Sequence, residues 1–446
     1  MFTSITLNNF RAFDKITFDL SSRTNFAKKI AIIYGENGAG KSNLMSAFVL
    51  LNELLNTMNV RDMIEEVLNQ KAVFSDENME RALKTQLVAG LRDIQAIIDD
   101  YQMVGSKEPV VAEYEFIING NTGKYLIELG EHEIIHERLE YLVSRRRGIY
   151  FDLSKKNTTI NSCIVKDKDL LSDIKAATKR FWGKHSVLAI ILHEIRDKSS
   201  SFGWDNISEN FSDVLGEFLT LSCFLGIGNR RWDKLSTPLD VLQNVSSGTI
   251  SKHHEAQLDI LGDVLTQFFM SINSDIRSAF YKRTYSDNQV NYDLYFDKLI
   301  SGEYRSIPFS KESTGNHQLL RTLCYIISAC FGYTVVIDEV DSGIHDVLFQ
   351  KVITEIAPKV EGQLIMTTHN TLLMEADFAR ESTYILREVD GGHKEIRCVN
   401  DYEKRVYLNN NIRNKYLNNE YGGLPEVKPI IFDALLDELS NAVSAQ

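Results

Sequence analysis

Hydrophobic residues gather into short, almost unbroken runs at several points of the chain, and between these runs their spacing changes. Lys29-Ile30-Ala31-Ile32-Ile33-Tyr34, Thr334-Val335-Val336-Ile337 and Gln363-Leu364-Ile365-Met366 are three such runs. Brief, β-branched apolar runs without polar alternation suit buried strands. Residues 3–9 and 15–20 predict two more strands around Phe10-Arg11-Ala12-Phe13. From Val110 to Ile118 the pattern alternates, Asn119-Gly120-Asn121-Thr122-Gly123 supplies a turn, and Lys124 to Leu129 returns, which predicts a hairpin. Ile134-Ile135-His136-Glu137-Arg138-Leu139 and Gly148-Ile149-Tyr150-Phe151 extend it toward residue 162 as an antiparallel sheet beside the core.

Elsewhere apolar residues fall three and four apart. Residues 52–103 read as helical with dense charge, as in Met63-Ile64-Glu65-Glu66-Val67-Leu68. Residues 165–275 turn helical again without a sustained heptad run, so a compact helical insertion is expected. Strands resume from about residue 278. The most apolar window, Leu319 to Ile337, contains Arg321, Ser328 and Gly332-Tyr333-Thr334; it predicts a buried helix running into a buried strand rather than a membrane span. The expected fold is α/β, a mixed central sheet with an antiparallel β-subdomain and an inserted helical region. Its expected divisions are 1–162, 163–277 and 278–446.

Composition narrows the function. A chain of 446 residues exceeds one typical domain, its 43% hydrophobic content supports a real core, and six prolines argue against long disordered linkers. The net charge of −12 opposes a general nucleic-acid coat, although a local basic groove stays open. Arg145-Arg146-Arg147 and Lys179-Arg180 are its candidates, and each reads equally as a solvated face. Cys163, Cys223, Cys324, Cys330 and Cys398 form no CxxC pair, and the N-terminus lacks a basic stretch followed by an apolar one. A reduced, cytoplasmic protein without a signal peptide is therefore expected.

Chemistry enters at Gly35-Glu36-Asn37-Gly38-Ala39-Gly40-Lys41-Ser42, a full match to G-x-x-x-x-G-K-[ST] between a predicted strand and a predicted helix. Glycines let successive backbone N–H groups turn inward around a phosphate, and the helix N-terminus adds its positive end. Gly35, Asn37, Gly38, Ala39, Gly40, Lys41, Ser42 and Asn43 are thus candidate ATP contacts, with Ser42 also a ligand for Mg²⁺.

Four further patterns lie between residues 310 and 370. Ser310-Lys311-Glu312-Ser313-Thr314-Gly315-Asn316-His317-Gln318 ends where an apolar helix begins; Ser313 and Gly315 there suit an anion, and a plain helix cap is the alternative. The strand ending in Asp338-Glu339 places Asp338 for the Mg²⁺ shell and Glu339 to polarise water, against the alternative of two acids capping the next helix. Asp341-Ser342-Gly343-Ile344-His345 follows directly. Thr367-Thr368-His369-Asn370 puts His369 at another strand end, within reach of a γ-phosphate, and a structural histidine bonded to a backbone carbonyl is the bland counterpart.

This order of P-loop, helical insertion, serine-glycine signature, Asp-Glu strand, Asp loop and His strand resembles the ATP-binding-cassette ATPases, in the SMC-like branch that includes RecF, Rad50 and the OLD family. The resemblance implies an ABC-type ATPase fold and a homodimer, extending to higher oligomers, in which ATP is sandwiched between the P-loop of one subunit and the signature of another. It implies Glu339 as general base, His369 as γ-phosphate switch, Asp341 as a cross-dimer contact, and Arg11 within Asn9-Phe10-Arg11 near the nucleotide. The signature departs from transporter cassettes in lacking their leading leucine, and the Q-loop glutamine has no clear position. Nothing predicts a membrane domain, so transport is not expected.

A narrower resemblance rests on Lys311-Glu312-Ser313-Thr314-Gly315, Asp338-Glu339-Val340-Asp341 and the piece from Asn411 to Pro425 containing Tyr421-Gly422-Gly423. It is to stand-alone bacterial ATPases of anti-phage and abortive-infection systems, such as AriA of PARIS, PtuA of Septu and AbiL. That implies a Mg-ATPase serving as sensor or scaffold, a phage trigger, and a separately encoded effector, toxin or nuclease. With so few residues following His369, the nuclease domain that OLD proteins append is not expected here. The competing expectation is a DNA-repair clamp of the RecF or Rad50 type, with salt-sensitive DNA binding.

Overall fold

Buried residues in β1 (Phe2–Phe10) recur at Phe2, Ile5, Leu7 and Phe10, so one face of the strand lies on the core and its antiparallel partner β2 (Phe13–Asp19) follows suit. In this computed structural model residues 1–22, 26–69, 91–198, 200–227, 230–402 and 411–425 are described, together with 432, 436 and 438–440. After β2 come β3 (Ile30–Tyr34), α1 (Lys41–Asn69) and α2 (Ile94–Tyr101). The predicted helical stretch 52–103 is thus helical at both ends, and its residues 70–90 lie outside those described.

The predicted hairpin is β4 (Val110–Ile118) and β5 (Asn121–Leu129), followed by β6 (Ile134–Val143), β7 (Arg146–Ser154) and β8 (Thr158–Ile160). They form an antiparallel sheet in the order β2-β1-β4-β5-β6-β7-β8. Helices α3 (Lys168–Phe181), α4 (Val187–Asp197), α5 (Ser200–Asp205) and α6 (Glu209–Leu219) come next, as expected of a compact helical insertion over 165–275, and strands outside that expectation then follow. Residues 222–227 are β9, 230–234 are β10 and 247–251 are β11, ahead of α7 (Ala256–Ile272). Ser222-Cys223-Phe224-Leu225 is short and its apolar members are buried, and a brief buried run has no period that separates strand from helix.

The chain continues through β12 (Ile276–Ser286), β13 (Gln289–Ile300), β14 (Glu303–Pro308), α8 (Thr314–Cys330), β15 (Thr334–Ile337), α9 (Asp346–Ile356), β16 (Gln363–Thr367), α10 (Ala379–Ser382), β17 (Thr383–Glu388), β18 (Lys394–Cys398), α11 (Val399–Tyr402) and α12 (Ile412–Leu417). The central sheet is mixed, in the order β10-β9-β15-β16-β3-β17-β18. Its five inner strands run parallel and each edge strand antiparallel. Burial on both faces explains why β3, β15 and β16 have no exposed residue.

Alternate residues of these strands enter two different cores. Ala31, Ile33, Val336 and Ile365 join the antiparallel sheet and α1, whereas Ile30, Ile32, Val335, Ile337, Leu364 and Met366 join α7, α8 and a four-stranded sheet. In that sheet β12 pairs one edge of β13, and β11 and β14 share the other. The layers clamp the central sheet and set its C-terminal strand ends, where the candidate chemistry sits. Among the described residues no helix is long and apolar enough to cross a membrane.

Candidate nucleotide site

β3 ends at Tyr34, and the chain turns through Gly35–Gly40 into α1. The turn needs glycine at two points. A Cβ on Gly35 would lie 2.3 Å from the Leu386 carbonyl oxygen of β17, and Gly40, at φ +107°, would drive one to 3.0 Å from the Phe13 ring. The β1–β2 hairpin therefore packs directly on the loop. Lys41 is only 8% exposed. Its ammonium donates to the carbonyls of Gly35 at 2.8 Å and Glu36 at 3.1 Å. Burial pulls its pKa below the ordinary lysine value, and the negative charges of Asp338, Glu339 and Glu36 oppose that shift. Ser42 and Asn43 stand partly exposed in the first helical turn, with Asn37 and Gly38 at the exposed loop tip and Ala39 buried beneath.

The acids come from β15, two strands away from β3 with β16 between them. Asp338 is 7% exposed, and its N–H donates to the Phe224 carbonyl of β9 at 2.9 Å. The Thr367 hydroxyl at the end of β16 donates to Asp338 Oδ1 at 2.5 Å and accepts from the Glu339 N–H at 2.8 Å. Glu339 is exposed and left-handed, at φ +49°. A non-glycine residue in that region costs about 1–2 kcal/mol, so the Thr367 bond holds a strained backbone in place.

The candidate ligands Ser42 and Asp338 both offer oxygen, one a hydroxyl and the other a carboxylate. That fits Mg²⁺, which takes one or two protein oxygens and fills its shell with phosphate and water. Among the described residues no group of three or more His, Cys, Asp or Glu could hold a metal unaided.

His369 is exposed two residues beyond the end of β16, and its neighbour Thr368 donates backbone N–H to Ile33 O at 3.3 Å, so the histidine leaves the sheet next to the P-loop strand. Asp341 begins the turn after β15. Burial, and behind it the charge of Asp341, raises the Tyr34 phenol well above its usual value. Ser313 caps α8 by accepting from Asn316 N at 3.2 Å. Gly315 meets the same turn as Asp341: a Cβ there would come 2.9 Å from the Gly343 carbonyl. Signature and Asp loop are therefore one surface.

Arg11 lies in the hairpin that packs on the loop. At φ +52° in the β1–β2 turn, its guanidinium pairs with Asp100 at 3.0 Å and lies 4.7 Å from the centre of the Tyr101 ring. Thr367, Phe224 and Phe13 support the site without having been singled out in the sequence. Only Thr367 carried any signal, as the polar residue two before His369 that ends the apolar run Leu364-Ile365-Met366.

Comparisons with known proteins follow this geometry. Among solved structures the chain is similar to an Smc head bound to the C-winged helix domain of ScpA, at 14% identity over 90% of this chain and 99% of that one, with a TM-score of 0.44. It is also similar to the SMC head domain from Thermotoga maritima, at 15% identity over 89% and 98%, with a TM-score of 0.36. Among curated proteins none matches. A family model described as "AAA domain, putative AbiEii toxin, Type IV TA system" matches residues 228–375, which contain the signature, the acid pair and His369. A second, described as "AAA domain", matches residues 4–257 and takes in the P-loop. With more than half of its length inside that model, the chain belongs to the AAA domain family.

Proposed function

We propose that the protein is a Mg-dependent ATPase of the SMC/ABC-like type whose active sites are completed between two copies of the chain. The observation that carries this reading is that the P-loop following β3 and the Asp338–Glu339 pair following β15 lie at the same end of one sheet, flanking β16, whose Thr367 hydroxyl bonds both acids. Lys41 and the loop N–H groups bind the phosphates, and Mg²⁺, when bound, neutralises developing charge on them. Ser42 and Asp338 hold that ion. Glu339 takes a proton from the attacking water, and His369 donates to the γ-phosphate. Ser313 and Gly315 share a surface with the Asp341 turn, as a lid over a partner's nucleotide requires.

The biological role we assign is sensor or scaffold in a bacterial anti-phage, abortive-infection system whose effector is encoded separately. The AbiEii-type family match over residues 228–375 supports it. Two measurements test the proposal in parts. Phosphate release from ATP, with Mg²⁺ and with EDTA, tests the enzyme; phage plating on cells carrying this gene with and without its neighbour tests the role. A DNA titration across salt concentrations, with and without ATP, tests the repair-clamp alternative. Tight, salt-sensitive and ATP-dependent binding together with unchanged plating would replace the defence role by that alternative.

A further inference from the structure

The C-terminal segment 411–425 supplies none of the residues assigned above to the nucleotide, yet it is strapped across the turn that follows His369. Its helix α12 is capped by Asn411, whose side chain accepts from Asn414 N at 3.0 Å. From the first turn Arg413 reaches the residues just after the histidine: Nε donates to Thr371 Oγ1 at 3.1 Å and a terminal nitrogen to Glu375 at 2.9 Å. One turn on, Tyr416 is 5% exposed and its ring centre lies 5.7 Å from that of Tyr34. Tyr34 immediately precedes Gly35, and its hydroxyl donates to the backbone carbonyl of Asn370, the residue after His369, at 2.9 Å.

The far end of the strap is also fixed to the core. Arg387 donates to the Tyr421 carbonyl at 3.2 Å, and a Cβ on Gly423 would fall 2.6 Å from Ile385 of β17. β17 is the strand whose Leu386 carbonyl crowds Gly35. The strap thus bridges the entry to the P-loop and the exit from the histidine strand.

We infer that Arg413 and the Tyr34–Tyr416 pair are positioning residues for His369, so that the C-terminal segment belongs to the hydrolytic machinery; the inference rests on the ATPase reading above. Arg413 is one third exposed, and a lone ion pair at such a site contributes little. Its planar fork, held by two different acceptors, instead fixes where the 370–375 turn lies, and with it the histidine. A displacement of about 1 Å at such a group is enough to slow chemistry severely.

The test is an epistasis experiment with single-turnover and steady-state ATP hydrolysis by the full-length protein. Arg413→Ala is expected to lower kcat roughly tenfold with KM within about twofold, and Arg413→Lys, which keeps a charge for Glu375 but not the fork, to fall between. In a His369→Ala background, Arg413→Ala is expected to change the rate by less than about twofold, because the group it positions is gone. Equal losses in both backgrounds, or a change confined to KM, would overturn the inference while leaving the ATPase reading intact. Wild-type protein without hydrolysis would overturn both. Should Arg413→Ala unfold, Arg413→Lys carries the same comparison.

Discussion

Thr367 lies opposite Asp338 and donates its hydroxyl to the Asp338 carboxylate at 2.5 Å, while accepting from the N–H of Glu339 at 2.8 Å. One hydroxyl therefore orients the residue proposed to hold Mg²⁺ and anchors the strained residue proposed as base. Thr367→Val keeps the shape and removes both bonds. Hydrogen bonds to charged groups contribute roughly 1.5–3 kcal/mol, so a stability loss near 2 kcal/mol is expected, together with a fall in kcat larger than any change in nucleotide affinity. Thr367→Ser should recover most of both. Unchanged kcat in Thr367→Val would show that Asp338 needs no such orientation.

Lys41→Ala removes the one ammonium enclosed by the P-loop carbonyls. Losing a positioned donor at developing phosphate charge costs on the order of 10²-fold or more in rate, so hydrolysis should drop to background and ATP-dependent assembly with it. Phosphate release and light scattering with and without ATP measure the two losses separately. Wild-type turnover in the purified variant would refute the P-loop assignment.

Glu339→Gln is close to isosteric, and the backbone bond to Thr367 does not involve the side chain that changes. ATP should bind as before while hydrolysis falls roughly 10²–10⁴-fold, the contribution of a positioned general base. An ATP-loaded, stable assembly visible by light scattering is the expected companion. A variant as active as wild type would leave Glu339 a mere helix-approach residue.

These three sites differ in how they could be read from sequence. Lys41 and the Asp338–Glu339 pair were legible because their chemistry is local: a glycine turn between strand and helix, and acids at the tip of a buried strand. The role of Thr367 depends on register, since Ile337 pairs Met366 and only that alignment brings the next residues, Asp338 and Thr367, side by side. Pairing register is a property of two distant segments. β9 escaped for a different reason: buried and short, it carries no alternation, yet it lies beside β15 and its Phe224 carbonyl accepts from Asp338. The contact between Gly315 and Gly343 joins two loops whose separate patterns say nothing about each other.

Glu137 makes the antiparallel sheet pH-sensitive. It is fully buried in β6, accepting from Tyr125 at 3.0 Å, Trp182 at 3.3 Å and the Val187 N–H at 2.8 Å. Burial pushes its carboxyl from the ordinary 4.5 up to about 7, against the pull of those donors. Between these values the folded protein binds more protons than the unfolded chain, so this group's contribution to stability falls as pH rises from about 4.5 to about 7 and is flat beyond. Glu137→Gln cannot titrate. Its melting temperature should be lower at acidic pH, where an NH₂ group faces a donor, and the gap to wild type should narrow steadily toward pH 7. A constant gap between pH 5 and 8 would show that Glu137 does not change protonation on folding.

The composite site gives the sharpest test. Ser313 stands exposed at the N-terminus of α8 and Gly315 lies against the Asp341 turn, so both belong to a surface presented outward. If that surface closes over a nucleotide held by a second copy, Ser313→Arg should leave ATP binding by isolated subunits within about twofold, because each P-loop is untouched. Hydrolysis should nonetheless be lost, since a guanidinium fills the space where the helix end meets the γ-phosphate. Mixing this variant with Lys41→Ala then separates two architectures. In a dimer with two shared sites, a mixed pair carries one interface with intact Lys41 and intact Ser313 and one with both lesions. Random pairing makes half of the dimers mixed, each with a single working site, so about a quarter of wild-type activity is expected from an equimolar mixture if sites act independently. Activity restored on mixing two inactive proteins requires that each site be built from two chains. An active, strictly monomeric Ser313→Arg protein would leave an ordinary P-loop ATPase that works alone, with Ser313 no more than the cap of its helix.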